Sequence, residues 1–205
     1  MTYRFLLIVF AAILFPLIAN AAWVFQLSTG TAHSFDTTLT VEQPQITTKI
    51  TADYDTHPWR PAPYYSIRIG KWNAKSAWEL ELLHHKLYLN NPELPVNSFR
   101  VTNGYSMVML NHAWNYRSLI LRAGGGGLVA YPVTTIDNIT TLGGYRLAGI
   151  TGQGSVEKRF FFSNHFFLSG EAKLTASHAK LTLENAKATV PNVAVHALVS
   201  IGYQY

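Results

Sequence analysis

The chain ends in a stretch that alternates for longer than most soluble strands run. From Val193 to Tyr205 the odd positions are Val193, Val195, Ala197, Val199, Ile201, Tyr203 and Tyr205. The even positions, Ala194, His196, Leu198, Ser200, Gly202 and Gln204, are mostly small or polar. A period of two puts successive side chains on opposite faces of a strand, so the two faces meet different media. Strands of soluble domains run to about 5–6 residues. A strand that crosses a bilayer obliquely needs about 9–11. The length and the terminal aromatic therefore point toward a strand with one face in lipid.

The rest of the chain repeats the pattern. Segments beginning at Trp23, Ala62, Ala77, Val101, Ser118, Tyr145, Phe166 and Val190 read as eight strands. In the first, Phe25, Leu27 and Thr29 oppose Gln26, Ser28 and Gly30. In the second and third, Tyr65, Ile67, Ile69, Trp78, Leu80 and Leu82 form the apolar phase. The fourth is ambiguous in phase, and we place Val108 and Leu110 outward with Met109 and Asn111 inward. In the fifth, Leu121, Ala123, Val129 and Tyr131 oppose Arg122. The sixth sets Ala148, Ile150 and Val156 outward, and the seventh Leu168, Ala172 and Leu174. Four consecutive glycines, Gly124 to Gly127, permit close strand approach and sharp curvature. They lack the lysine and hydroxyl residue of a phosphate-cradling loop.

Only 13% of the residues are charged, against about 25% in ordinary globular domains. Beyond the first residues no segment approaches the roughly 20 consecutive apolar residues of a membrane helix. That combination predicts an all-β, eight-stranded antiparallel up-and-down transmembrane β-barrel. In hydrocarbon every backbone group must be bonded internally, which open sheets cannot do. Connections after the second, fourth and sixth strands are short, and those after the others are longer. The longest holds an alternating "TLTVEQPQITTKITA" that reads as an extra hairpin above the membrane. Aromatics should form two girdles: Trp72, Trp78, Trp114, Phe160, Phe161, Phe166, Tyr203 and Tyr205 at the short-turn end, Tyr64, Tyr88, Tyr131 and Tyr145 at the other.

Residues 1–21 read as an export signal: Arg4, an apolar run, and the small-residue site Ala19–Asn20–Ala21. The barrel then occupies residues 22–205, and the expected location is the bacterial outer membrane. The net charge of +5 comes with no basic run or nucleic-acid motif, so anionic lipid headgroups are the expected partner and nucleic acid is not. Cysteine is absent.

Inward positions collect Arg68, Arg122 and Lys173 with Glu79, Glu81, Glu157 and Glu171. A barrel of this size is just wide enough to be filled by side chains, so these charges should plug the lumen. A proton or ion path through them is the sharper alternative. Paired carboxylates at Glu79 and Glu81 could suggest glycosidase chemistry, but a filled lumen leaves no room for sugar. A second cluster, His84, His85 and Lys86, lies near the far end of the third strand, with His178 and Lys180 at the matching level of the seventh and Arg100 in the adjoining loop. His84 and Lys86 share the outward phase, so Lys86, Arg100, His178 and Lys180 are candidate ligands of lipid phosphate, with Glu81 and His84 as catalytic candidates. Adjacent histidines on a strand point to opposite faces, so no metal site is expected, and no cofactor. Ser177 and His178 are opposed for the same reason.

The stretches "PYYSIRIGKW", "ELELLHHKLY", "LRAGGGGLVAYP" and "GEAKLT", with the terminal strand closed by an aromatic, resemble the outer-membrane β-barrel family that includes lipid A oxidase-like proteins. The resemblance implies lipopolysaccharide as partner and, for some members, oxidation of the proximal glucosamine of lipid A. The terminal aromatic resembles the signal read by the outer-membrane assembly machinery. The His-x-Ser motif of lipid A deacylase barrels does not occur. The expectation is a structural or surface-interaction barrel at the lipopolysaccharide layer, with lipid A modification and a narrow channel as alternatives.

Overall fold

The computed structural model describes residues 21–205, without the side chains of residues 102 and 103. The expected export signal lies outside them except for its last residue. The chain forms twelve strands and no helix among the described residues. They are β1 (Ala22–Phe35), β2 (Thr37–Glu42), β3 (Thr47–Ala52), β4 (Tyr54–Asp55), β5 (Tyr65–Trp72), β6 (Ser76–Leu89), β7 (Val96–Tyr116), β8 (Leu119–Ile136), β9 (Ile139–Leu142), β10 (Arg146–Phe161), β11 (Phe166–Thr182) and β12 (Lys187–Gln204). The closed circuit runs β1-β5-β6-β7-β8-β10-β11-β12 and back to β1. Every pairing in it is antiparallel. This is a closed eight-stranded barrel.

The eight expected strands are present, with the expected phases. Val108 and Leu110 face outward on β7, while Met109 and Asn111 face inward. Ala148 departs from its expected phase. A bulge between Leu147 and Gly149 carries it to the buried side. Strand lengths exceed expectation at the end away from the short turns. β7 has 21 residues, about twice what an oblique bilayer crossing requires. β11 and β12 are joined by only residues 183–186, so the asymmetry between the two ends comes from long strands more than from long loops.

The expected extra hairpin is part of the wall. β2 continues β1 past Asp36 and pairs with β12. β3 pairs back onto β2, and β4 pairs with β6. Together β3 and β4 close the wall above the point where β5 starts. β9 completes β10 in the same way by pairing with β8. The barrel thus continues as eight lines of strand well past the lower half.

The two halves bury opposite things. Near the short turns, apolar side chains point out: Phe25, Leu27, Ile67, Leu80, Leu110, Leu168, Val199 and Ile201 are all exposed. Polar ones point in. Toward the far end the arrangement inverts. Leu39, Val41, Ile50, Leu87, Phe99, Tyr105, Met107, Leu128, Ile136 and Val190 fill the lumen as one apolar cluster. Outward positions there include Lys49, Thr51, Thr182 and Lys187, with Leu142 and Leu147 exposed among them. The expected polar plug therefore occupies only half of the lumen. Trp72 and Tyr64, expected in the girdles, are inside, at 6% and 1% exposure.

The glycine run closes β8 against β7. A Cβ at Gly126 would fall 1.9 Å from the Val108 carbonyl oxygen, and one at Gly124 would fall 2.0 Å from Asn111 Oδ1. Both contacts are far inside van der Waals distance, and the first is with backbone that cannot swing away. Gly126→Val is expected to prevent native closure, a cost above the roughly 1–3 kcal/mol of ordinary overpacking. The check is electrophoresis with and without boiling: the variant should lose the fast-migrating folded form, while Gly170→Ala, with open space around it, should keep it.

Candidate functional site

Inward phase on β1, β5, β6, β8, β10 and β11 brings the expected ionisable residues into one layer. Arg68 is the hub. Its Nη2 donates to Glu81 Oε1 at 3.1 Å and to Glu171 Oε2 at 2.9 Å, and Nη1 donates to Gln26 Oε1 at 3.2 Å. Arg122 Nε donates to Glu79 Oε2 at 2.5 Å, and its Nη2 pairs closely with Glu157. Lys173 pairs closely with Glu81. Neutral groups take the remaining lone pairs: Ser66 Oγ and Asn111 Nδ2 donate to Glu81, and Trp72 Nε1 donates to Glu79. Gln26 Nε2 donates to Glu157.

Sequence reasoning missed one member. Arg159 Nε donates to Glu157 Oε1 at 3.0 Å. Its guanidinium lies 4.9 Å from the Trp72 ring centre and 4.5 Å from that of Phe167. The signal was available: Arg159 stands two residues after Glu157 and so shares its inward phase. With it, Arg68, Arg122, Arg159 and Lys173 face Glu79, Glu81, Glu157 and Glu171, and formal charge cancels. Buried charges are tolerated on that condition. No carboxylate in the layer is left unbonded to act as an acid or base, which removes the basis for a glycosidase pair.

One level farther from the short turns, His196 bridges the charge layer and the apolar cluster. Its Nδ1 lies 2.7 Å from Tyr64 Oη and its Nε2 lies 2.8 Å from Thr175 Oγ1. His85 packs edge-on against the rings of Tyr64, Tyr105 and His196. Higher still, Tyr54 is buried with its hydroxyl unbonded, and burial raises its pKa above the usual phenol value.

The outer wall departs from expectation at β6. His84 and Lys86 do take the outward phase, but they do not reach the surface: His84 is 5% exposed and Lys86 0%. The segment holding His57 and Arg60 lies over Lys86, and Tyr65 lies over His84. Lys86 Nζ donates to the carbonyls of His57 at 2.7 Å and Arg60 at 2.9 Å. The Tyr65 ring stacks on His84, whose Nδ1 lies 3.1 Å from Ser106 Oγ. The segment is a cover, and no count of outward phases on β6 could have revealed it. Arg100 lies on β7 rather than in a loop, and it is exposed, as are His178 and Lys180. His178 and Ser177 take opposite faces. No group of three metal-ligating residues occurs among the described residues.

The circuit, the register and the filled lumen define the class: an all-β, closed antiparallel barrel of eight strands, the fold of outer-membrane barrels. The chain is similar to Neisserial surface protein A, with 7% identity, a TM-score of 0.45, and coverage of 91% of this chain and 99% of that one. It is also similar to Ail, the attachment invasion locus protein of Yersinia pestis, at 9% identity and a TM-score of 0.42, with the same coverage. A structure of Ail with the heparin analogue sucrose octasulfate matches at 10% identity and a TM-score of 0.42. No protein-family model matches the chain, and no curated protein does.

Proposed function

We propose that this protein is an integral outer-membrane barrel with a sealed lumen, serving a structural or surface-interaction role at the lipopolysaccharide layer. The observation that carries the reading is the inversion of the barrel. A soluble barrel would not expose Phe25, Leu27, Ile67, Leu80, Leu110, Leu168, Val199 and Ile201 around one band while burying arginines behind them. Lipid accounts for the band, and water accounts for the threonine- and lysine-bearing face beyond it. Exposed Trp78, Trp114, Phe160, Phe166 and Tyr205 suit the interface at the short turns.

Arg100, Arg146, His178 and Lys180 stand exposed on the outer wall toward the far end, where phosphates of an outer leaflet would meet them. The terminal aromatic after β12, Tyr205, is exposed and suits recognition by the assembly machinery. The structural role ranks above lipid A modification because the catalytic candidates are engaged elsewhere. Glu81 sits in the charge layer, and His84 lies under Tyr65.

Two measurements test this. The protein should fractionate with the outer membrane, and lipopolysaccharide from a deletion strain should give the same lipid A masses as wild type. A lipid A species that vanishes on deletion and returns with the wild-type gene but not with His84→Ala would replace the structural reading with an enzymatic one. Recovery in the soluble periplasm would sink both.

A further inference from the structure

On the far half of the barrel the wall is left open between β9 and β11. β9 pairs with β8 alone, and the ladder between β10 and β11 stops at Gly149 and Ala179. Beyond Ala179, the edge of β11 on that side pairs with no strand among the described residues. Above the break, the Glu184 N–H donates to Thr141 Oγ1 at 3.0 Å and Asn185 Nδ2 donates to the Ile136 carbonyl at 3.1 Å, which closes the opening at its top. Below it, the bulge between Leu147 and Gly149 carries Ala148 to the buried side. A cavity of about 310 Å³ occupies this window, at the small end of the roughly 300–1,000 Å³ of ligand pockets.

The back of the window is apolar. Ala130, Ala148, Leu181 and Leu183 line it, and all four belong to the cluster that fills the far lumen. The window is therefore a blind recess. Its rim is basic on balance, with Arg146 and Lys180 against Glu184, the single acid among the lining residues. Arg146 is the telling residue. It pairs with the buried Ala130 and so takes the inward phase, yet it is exposed. An inward arginine meets water at this level because the wall beside it is open. Outside, Ile150, Leu147 and Leu142 are exposed in succession up the same side of the barrel.

We infer that the window binds a free single-chain carboxylate of the fatty-acid class, its hydrocarbon chain against Ala130, Ala148, Leu181 and Leu183 and its head between Arg146 and Lys180. Each methylene that passes from water into the recess is a gain, and the carboxylate stays at the rim beside two cations. A cavity of this volume takes one chain and not several. A bilayer lipid would have to lift a chain out of hydrocarbon to reach a recess above the exposed band, which forfeits the same gain. A free amphiphile arrives from water. The height of the window above the band rests on the membrane reading; the recess and its rim do not.

The test is photoaffinity labelling of the full barrel in phosphatidylcholine nanodiscs, with a decanoate that carries a diazirine near its chain end. Label is expected in residues 142–148 and 181–183, saturating with dose and displaced by plain decanoate. Gly144→Trp should remove most of it, because Gly144 lines the cavity and has open space around it for the indole to fill. Arg146→Glu/Lys180→Glu should raise the dose for half-maximal labelling about fivefold, the scale for two exposed charge contacts, and should leave labelling by the matching diazirine alcohol unchanged. Electrophoresis with and without boiling checks that each variant is folded; if the double variant is not, Lys180→Gln alone should shift the dose in the same direction. Label spread over band residues such as Leu27, Ile67 and Leu168 with no excess at the window, labelling indifferent to Gly144→Trp, or equal labelling of the window by a diacyl phospholipid with the same diazirine chain would each overturn the proposal. None of these results bears on the outer-membrane reading, which stands or falls by fractionation.

Discussion

Arg68→Ala is expected to destabilise the barrel by about 3–5 kcal/mol, the scale for breaking a buried ion pair from one side. Arg68 lies within ion-pair distance of Glu79, Glu81, Glu157 and Glu171. Removing it leaves the layer with an excess carboxylate that water cannot reach. Urea unfolding in lipid vesicles, followed by tryptophan fluorescence, would measure the loss. Adding Glu171→Gln to the alanine variant removes the stranded charge and should recover part of the stability. A loss below about 1 kcal/mol, the range of solvated surface pairs, would mean that the layer is wet. Steady ion conductance by the wild type in a planar bilayer would say the same.

Phe99→Ala should cost a similar amount for a different reason. Phe99 is fully buried among the apolar residues of the far half, and truncating a buried phenylalanine costs about 3–5 kcal/mol through lost transfer energy and the cavity left behind. No charge is disturbed. The loss should therefore add to that of Arg68→Ala, since the two residues share no partner. A near-neutral result in the same unfolding assay would show that the far half is a water-filled vestibule with greasy walls. The pair of variants separates two kinds of cohesion within one tube.

How much of this could be read beforehand follows from what alternation encodes. Period two gives each residue a face, so the strands, the phase of β7 and the inward charges were legible. Ionisable residues on the same phase as one another, such as Arg68 and Glu81, had to meet because the lumen is narrow. Arg159 was equally legible and was overlooked. The apolar half of the lumen was not legible in the same way. A valine on a strand looks alike whether it faces lipid or a dry interior. Only the exchange of faces along β12, from Val190 inward to Val193 outward, marks the change. Burial of Lys86 depends on the segment of His57 and Arg60 folding over β6, and that of His84 on the Tyr65 ring, tertiary events with no periodic trace.

The exchange of faces also works as a depth gauge. Along β11 and β12 the greasy side chains pass from outside to inside, with Leu174 and Val195 exposed and Leu181 and Val190 buried. In the membrane placement proposed above, a barrel that floated higher would carry leucines such as Leu174 into water. If it sank, Lys49, Lys180 and Lys187 would be drawn toward hydrocarbon. Both displacements are opposed, so the chain writes its own waterline. A thinner or thicker bilayer would have to deform around this barrel at the short-turn interface, where aromatic rings tolerate adjustment, and not at the far one.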